Sequence, residues 1–152
     1  MKPFSLDDFV RESNRIENIH REPTEDEVAA TVRFLSREFV ITISDLSDLV
    51  AVYQPNARLR FAQGLDVRVG NHYPPRGGPD IQRALQAILD ESAPRAADPY
   101  SIHVRYETLH PFTDGNGRSG RALWLWMMGG NAPLGFLHHF YYQSLSASRA
   151  PK

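Results

Sequence analysis

Twelve consecutive residues, His110-Pro-Phe-Thr-Asp-Gly-Asn-Gly-Arg118-Ser-Gly-Arg121, hold one titratable base, one carboxylate, a Gly-Asn-Gly turn and two arginines. Together they read as a phosphate site. Gly115, Asn116 and Gly117 tolerate left-handed backbone, so successive N–H groups can point into one concavity. A helical pattern starts directly after them and adds the free N–H groups and positive dipole end of a helix N-terminus. Arg118 and Arg121 are three apart, share a helix face and can reach one anion. Asp114 is a lone carboxylate beside that cradle, the usual protein contribution to Mg²⁺, which keeps most of its waters. His110 precedes Pro111, which should end the preceding helix there. A neutral imidazole at that rim could accept a proton from a hydroxyl. The chemistry implied is transfer of a phosphate-linked group to a hydroxyl.

Elements must deliver these groups. Ser5-Leu-Asp-Asp8 starts a helix, expected to run over about 5–21 until Glu22-Pro23 break it, with Leu6, Phe9, Val10 and Ile16 on its apolar face. Ser13 and Glu17 fall on the stripe of Leu6 and Val10, so a carboxylate lies on the inward face and needs a partner. Arg121 could serve, as could Arg15 or Arg21 nearby. Thr24-x-x-Glu27 is a capping box, and Val28, Val32, Leu35 and Phe39 give the next helix its core stripe. Ser44-Asp45 caps a third helix through Leu46, Leu49, Val50 and Tyr53. Leu65, Val67 and Val69 alternate with polar residues ahead of Gly70-Asn71-His72-Tyr73, so the 58–78 region reads as a hairpin. Pro79 opens a helix with Ile81, Leu85, Ile88 and Leu89 inward. Asp98-Pro99 opens the one that delivers His110, with His103 and Glu107 as a surface pair. Ala122–Met128 is apolar nearly all round, as in a central helix, and Gly129-Gly130-Asn131 stops it. A last helix is expected over about 136–146.

The twelve-residue segment looks like the complete signature of the Fic (filamentation induced by cAMP) domain. Most enzymes with this signature transfer AMP from ATP to a Ser, Thr or Tyr hydroxyl of another protein. The resemblance implies His110 as general base and Asp114 as the Mg²⁺ ligand. It implies Pro111 and Phe112 as loop structure, with Phe112 anchored in the core. Gly115, Asn116 and Gly117 would form the anion hole, and Arg118 and Arg121 would bind the outer phosphates. Ser13-x-x-x-Glu17-Asn18 resembles the inhibitory motif of that family, in which the Glu pairs with the second signature arginine. The hairpin region resembles the Fic flap, which would hold a target segment by main-chain pairing around Leu65, Val67, Val69, His72 and Tyr73. The implied cofactors are Mg²⁺ with ATP as co-substrate, and the implied partner is a protein carrying a hydroxyl side chain. Self-modification and homo-oligomers are compatible with this reading. Another donor, removal of AMP, and a non-catalytic nucleotide-dependent binding module stay open, although Gly-Asn-Gly-Arg fits AMP transfer better than the altered anion hole of the kinase-like Doc branch.

Bulk properties set the frame. The 152 residues suffice for one domain, 1–152, mainly α, of about seven to eight helices with one small β-hairpin. A net charge of −1 without a basic run argues against nucleic acid as the main partner. With no cysteine there is neither a disulfide frame nor a thiolate metal site. No apolar run reaches membrane-spanning length and no leader pattern is evident, so the expected location is cytoplasmic, or elsewhere by a signal not visible here.

Overall fold

The structure, a computed structural model, describes residues 5–93 and 97–130. Six helices follow in order: α1 (Leu6–Ile16), α2 (Glu25–Leu35), α3 (Ile43–Tyr53), α4 (Pro79–Ser92), α5 (Pro99–Leu109) and α6 (Asn116–Met127). The expected helix over 136–146 lies outside the described residues. Helix starts follow local cap chemistry. Ser5 accepts from the N–H of Asp8, Thr24 and Glu27 form a reciprocal capping box, and Pro79 and Pro99 open α4 and α5. The cap of α3 is Thr42, boxed with Asp45, rather than Ser44-Asp45: the Thr42 hydroxyl reaches the Asp45 N–H at 3.0 Å.

The fold is arranged around α6, which packs against α1, α2, α3 and α5. All of its residues except Gly117 are buried. Leu123 and Trp126 join the main core with Phe34, Leu46, Leu85 and Tyr106, while Trp124 and Leu125 take the Phe9–Val10 face of α1. Each such large side chain, fully buried, contributes roughly 1.5–3 kcal/mol. Left-handed backbone ends the helix. Gly129 has φ 74°, and the N–H groups of Gly129 and Gly130 return to the carbonyls of Trp126 and Leu125.

Three sequence expectations are corrected. The fully buried face of α2 is Glu27, Ala30, Thr31 and Phe34; of the expected stripe Val28 and Leu35 pack half-buried against the core, while Val32 is exposed and Phe39, beyond the helix, is 80% exposed. The polar members of that face are buried because they are bonded: Glu27 to Arg21, Thr31 to the Tyr53 hydroxyl at 2.8 Å. His103 and Glu107 are not a surface pair. Both are buried between α5 and α6, where Gly120 lets the helices approach and the Gly120 carbonyl accepts from His103 Nδ1 at 2.9 Å. Finally, the 58–78 region forms a hairpin of a single bridge, Val69 with His72, and the described residues contain no strand beyond isolated bridges. Gly70 supplies the positive φ, 57°, that the two-residue turn needs. The ladder stops because the next hydrogen-bonded pair would join residues 67 and 74, and Pro74 has no N–H. Alternation nonetheless survives: Leu65, Val67 and Val69 are half-buried, and Asp66 and Arg68 are exposed.

Candidate functional site

The signature residues occupy the turn between α5 and α6. Helix α5 ends at Leu109, and His110 adopts left-handed backbone, φ 53° and ψ 64°, as its cap. That conformation is costly for a non-glycine residue and persists only where neighbours fix it. They do so here. The His110 N–H returns to the Tyr106 carbonyl at 2.9 Å, and its carbonyl accepts from Arg60 Nε at 2.7 Å. The half-buried imidazole is thereby presented at a defined place. Phe112, buried as expected, is clamped by the Asn116 carboxamide, which accepts from the Phe112 N–H and donates to its carbonyl, both at 2.8 Å. The Asn116 side chain is thus spent on closing the loop, leaving its N–H for any anion. A short antiparallel bridge between Leu59 and Phe112 ties this loop to the flap region; it is made by bonds from Arg60 N–H to Pro111 and from Thr113 N–H to Arg58.

Gly115 takes left-handed backbone, φ 77°, and opens α6 without a side-chain cap, so the first N–H groups of the helix are free of one. Against this N-terminus lies the Glu17 carboxylate. A Cβ built on Gly117 would collide with Glu17 Oε1, so the carboxylate rests on the glycine's own surface. The same oxygen accepts from Arg121 Nη2 at 2.7 Å. Arg121, whose side chain is 2% exposed, also donates from Nε to the Ser13 hydroxyl at 2.7 Å and from Nη2 to the Ser13 carbonyl at 3.0 Å. Nε and Nη2 of its guanidinium are therefore engaged by the last turn of α1 and its cap. Glu17 itself is less enclosed than a place on the inward helical stripe implies, with a side chain 39% exposed.

The reason is where α1 stops. The helix ends at Ile16, with Glu17 as its cap, and does not continue to Pro23. Asn18 takes left-handed backbone, φ 63°, and the N–H groups of Asn18 and Ile19 return to the carbonyls of Arg15 and Asn14. This is a Schellman terminator, and asparagine is the residue after glycine best able to adopt it. The Ser-x-x-x-Glu-Asn spacing thus has a mechanical basis. Ser13 points inward from the last full turn, and the terminator swings Glu17 from the helix end onto the tip of α6.

Arg118 lies deeper. Its guanidinium stacks over the Tyr53 ring at 5.1 Å and its Nη1 donates to Asn14 Oδ1 at 3.4 Å, while its buried Nε finds no acceptor among the described residues. Burial lowers its pKa, opposed by the negative charges of Glu17 and Asp114. Burial likewise pushes the Tyr53 hydroxyl up to about 12, against its bond to Thr31 and the two signature arginines. A buried cation with a spare donor, an anion already seated on Gly117, and uncapped N–H groups are features that fit a polyphosphate. Asp114 is exposed beside them and accepts from the Gly115 N–H at 2.7 Å. No cluster of three His, Cys, Asp or Glu side chains able to hold a metal occurs among the described residues. A divalent ion at Asp114 would accordingly draw most of its ligands from water and phosphate.

The flap residues sit on the other side of His110. His72 donates from Nε2 to the Thr108 carbonyl at 2.9 Å and so ties the flap to the end of α5. Tyr73 is exposed beneath the Arg68 guanidinium, 4.9 Å from its ring centroid. The structure therefore brings Ser13, Glu17, Gly117, Arg118 and Arg121 together. It places Leu65 to Tyr73 beside the end of α5 and leaves Asp114 at the open edge. Sequence reasoning missed Asn14, Tyr53 and Arg60. Asn14 was findable, since it neighbours Ser13 on the inward side of α1. The two others come from distant segments and left no local signal.

No helix of the described residues is long and apolar enough to cross a membrane. No curated protein matches the chain. The model of the Fic/DOC family matches residues 12–128, from within α1 through the cap of α6, and hence the whole constellation just described. The chain belongs to the Fic/DOC family.

Proposed function

We propose that the chain is a protein adenylyltransferase, moving AMP from Mg·ATP to a side-chain hydroxyl of a protein, and that Glu17 restrains it. One observation carries this reading: a carboxylate of the same chain sits on Gly117 and Arg121 at the N-terminus of α6, where the family's nucleotide phosphates belong. An anion held there by its own helix marks the cradle as anion-accepting and already filled.

His110 takes the proton of the incoming hydroxyl, whose oxygen attacks the α-phosphorus of ATP. The bond from that phosphorus to the α–β bridging oxygen breaks, AMP is left esterified to the protein, and pyrophosphate departs. The N–H groups of Asn116 and Gly117, joined by that of Gly115 if Asp114 releases it, take up negative charge on the phosphates, and Arg118 and Arg121 hold the outer ones. Held at Asp114, a Mg²⁺ ion would supply further neutralisation of that charge. The extended 65–69 segment offers the acceptor a backbone edge. Among the described residues Val67 has no backbone hydrogen bond, so its N–H and carbonyl can pair with a target segment.

The test uses a chain carrying Glu17→Gly, given ATP labelled on either the α- or the γ-phosphate. Covalent transfer of the α-label alone is expected, falling about 10²–10⁴-fold in a further His110→Ala variant, with nucleotide binding retained. Transfer of the γ-label would make the chain a kinase instead. Retained nucleotide and partner binding with neither label transferred would make it a binding module.

A further inference from the structure

The structure assigns a positioning role to Arg60: it bolts the flap to the helix end that carries His110, so that the acceptor-holding segment and the base move as one unit. This rests on His110 being the base, as proposed above. Arg60 is fully buried and the described residues offer its guanidinium no bonded carboxylate. Its bonds all go to carbonyls: Nε to His110 at 2.7 Å, Nη2 to Leu109 at 2.8 Å, Nη1 to Leu65 at 3.1 Å and to Pro75 at 2.8 Å. Two acceptors are the end of α5, and two are the opposite roots of the flap. A guanidinium presents five donors in a fixed plane, so one side chain can hold four acceptors from three segments in a single geometry. An ammonium with three donors and no plane cannot.

The surrounding bonds point the same way. The Arg60 N–H and carbonyl pair with Pro111 and with the Gly78 N–H at 2.9 Å each. The flap neck is closed by the Gly77 N–H on Asp66 at 2.8 Å, and Gly77 packs so closely that an added Cβ would lie 2.6 Å from the carbonyls of Ala62 and Leu65. At the far end His72 holds the Thr108 carbonyl. The three successive carbonyls that close α5, those of Thr108, Leu109 and His110, lack partners inside the helix and are taken by the flap side. A positive charge at that end also suits the helix dipole. Backbone strain at His110 is held in place by this bond, since Arg60 fixes the carbonyl on one side of the left-handed residue while the Tyr106 carbonyl fixes its N–H on the other.

The experiment compares Arg60→Lys and Arg60→Gln, each in the Glu17→Gly chain. Labelling kinetics with α-labelled ATP are read beside hydrogen exchange of the flap and of the α5 end. The expected result is a kcat at least tenfold lower with KM for ATP within twofold, because the nucleotide cradle on α6 does not touch Arg60. Exchange should rise together at residues 65–75 and 109–110 and stay unchanged in α1 and α6. An unchanged kcat, or a loss of ATP affinity in step with kcat, would overturn the assignment. Loosening of the flap without the α5 end would overturn it as well. Should the Glu17→Gly chain transfer no label at all, the proposed activity fails separately. The exchange pattern then still decides whether Arg60 couples flap and helix.

Discussion

Replacing Glu17 by glycine should separate activity from stability. The bond lost, Glu17 Oε1 to Arg121 Nη2 at 2.7 Å, involves a carboxylate 39% exposed, so it contributes about 0.2–1 kcal/mol, as screened pairs do. Glu17 is a helix cap rather than an interior residue, where glycine is well tolerated. The docking of α1 rests instead on Phe9 and Val10, both buried against Trp124 and Leu125, at roughly 1.5–3 kcal/mol each. Helix α1 therefore stays in place, and Tm should fall by no more than about 2–4 °C. The effect on phosphate is larger. A phosphate charge about 4 Å from the Glu17 carboxylate would be repelled by ~4 kcal/mol at an effective dielectric near 20. At ~1.4 kcal/mol per decade this is close to a thousandfold penalty on productive binding. Removing the carboxylate should raise the labelling rate at low ATP by roughly 10²–10³-fold with stability nearly unchanged. Incorporation of α-phosphate label, read beside a thermal melt of the same samples, measures both. A rise under about threefold would refute the electrostatic argument, which is set in decades. A Tm loss beyond about 8 °C would show that the pair, not Phe9 and Val10, holds α1.

Gly117→Ala makes the complementary test. Its Cβ would collide with the Glu17 carboxylate and lie 3.0 Å from Arg121 Nη1. Glu17 should be expelled, but the cradle is filled, so ATP affinity by calorimetry should drop at least ~10-fold and labelling should not rise; activity matching Glu17→Gly would contradict this. Gly120→Ala runs against helix propensity: the added carbon would meet Glu107 Oε1 at 2.6 Å and Tyr106 Cδ1 at 2.9 Å. Urea unfolding should show a loss of about 1–3 kcal/mol despite alanine's better propensity, and a gain would mean that α5 and α6 do not pack so closely. Burial pushes the Glu27 carboxyl up, but bonds from Arg21 and Thr24 and the charge of Arg21 outweigh it and leave it below its ordinary value. A carboxyl lowered by folding contributes stability above about pH 4.5 and loses it as the pH falls through the lowered value. Because Arg21 is half exposed, Glu27→Gln should cost only about 1–2 kcal/mol at pH 7. Melts taken down a pH series should show that cost shrinking in acid, whereas a constant cost would assign it to packing.

What could be read from the sequence was local or contiguous. The caps at Ser5, Thr24, Pro79 and Asp98 were legible because each acts within one turn of its own helix. The 110–121 segment was legible because it is unbroken. The face of α2 was read only at Val28 and Leu35: a periodic reading weighs aliphatic size, and Glu27 and Thr31 are buried through bonds to Arg21 and Tyr53 that no period records. The early end of α1 hinged on Asn18 adopting left-handed backbone, an outcome that an asparagine permits but does not dictate. The hairpin was over-read because alternation continues past the point where Pro74 halts pairing. Arg60 left least trace of all. Its side-chain acceptors are backbone carbonyls 5 to 50 residues away, and a carbonyl carries no residue identity.

The burial of α6 also limits how the molecule can be diversified. Arg118 and Arg121, which the proposed reaction aims at the nucleotide, and Asn116, which closes the loop, are also parts of the packing of the central helix. A substitution there is screened twice, for folding and for chemistry, and a library over 110–127 would return mostly unfolded clones whatever activity was sought. The 65–73 segment is under no such double constraint at Arg68, Asn71 and Tyr73, which are exposed and touch little of the core, whereas Asp66 is needed at the neck. Retargeting to new acceptor proteins should therefore be sought there, with the donor end of the reaction left as it stands.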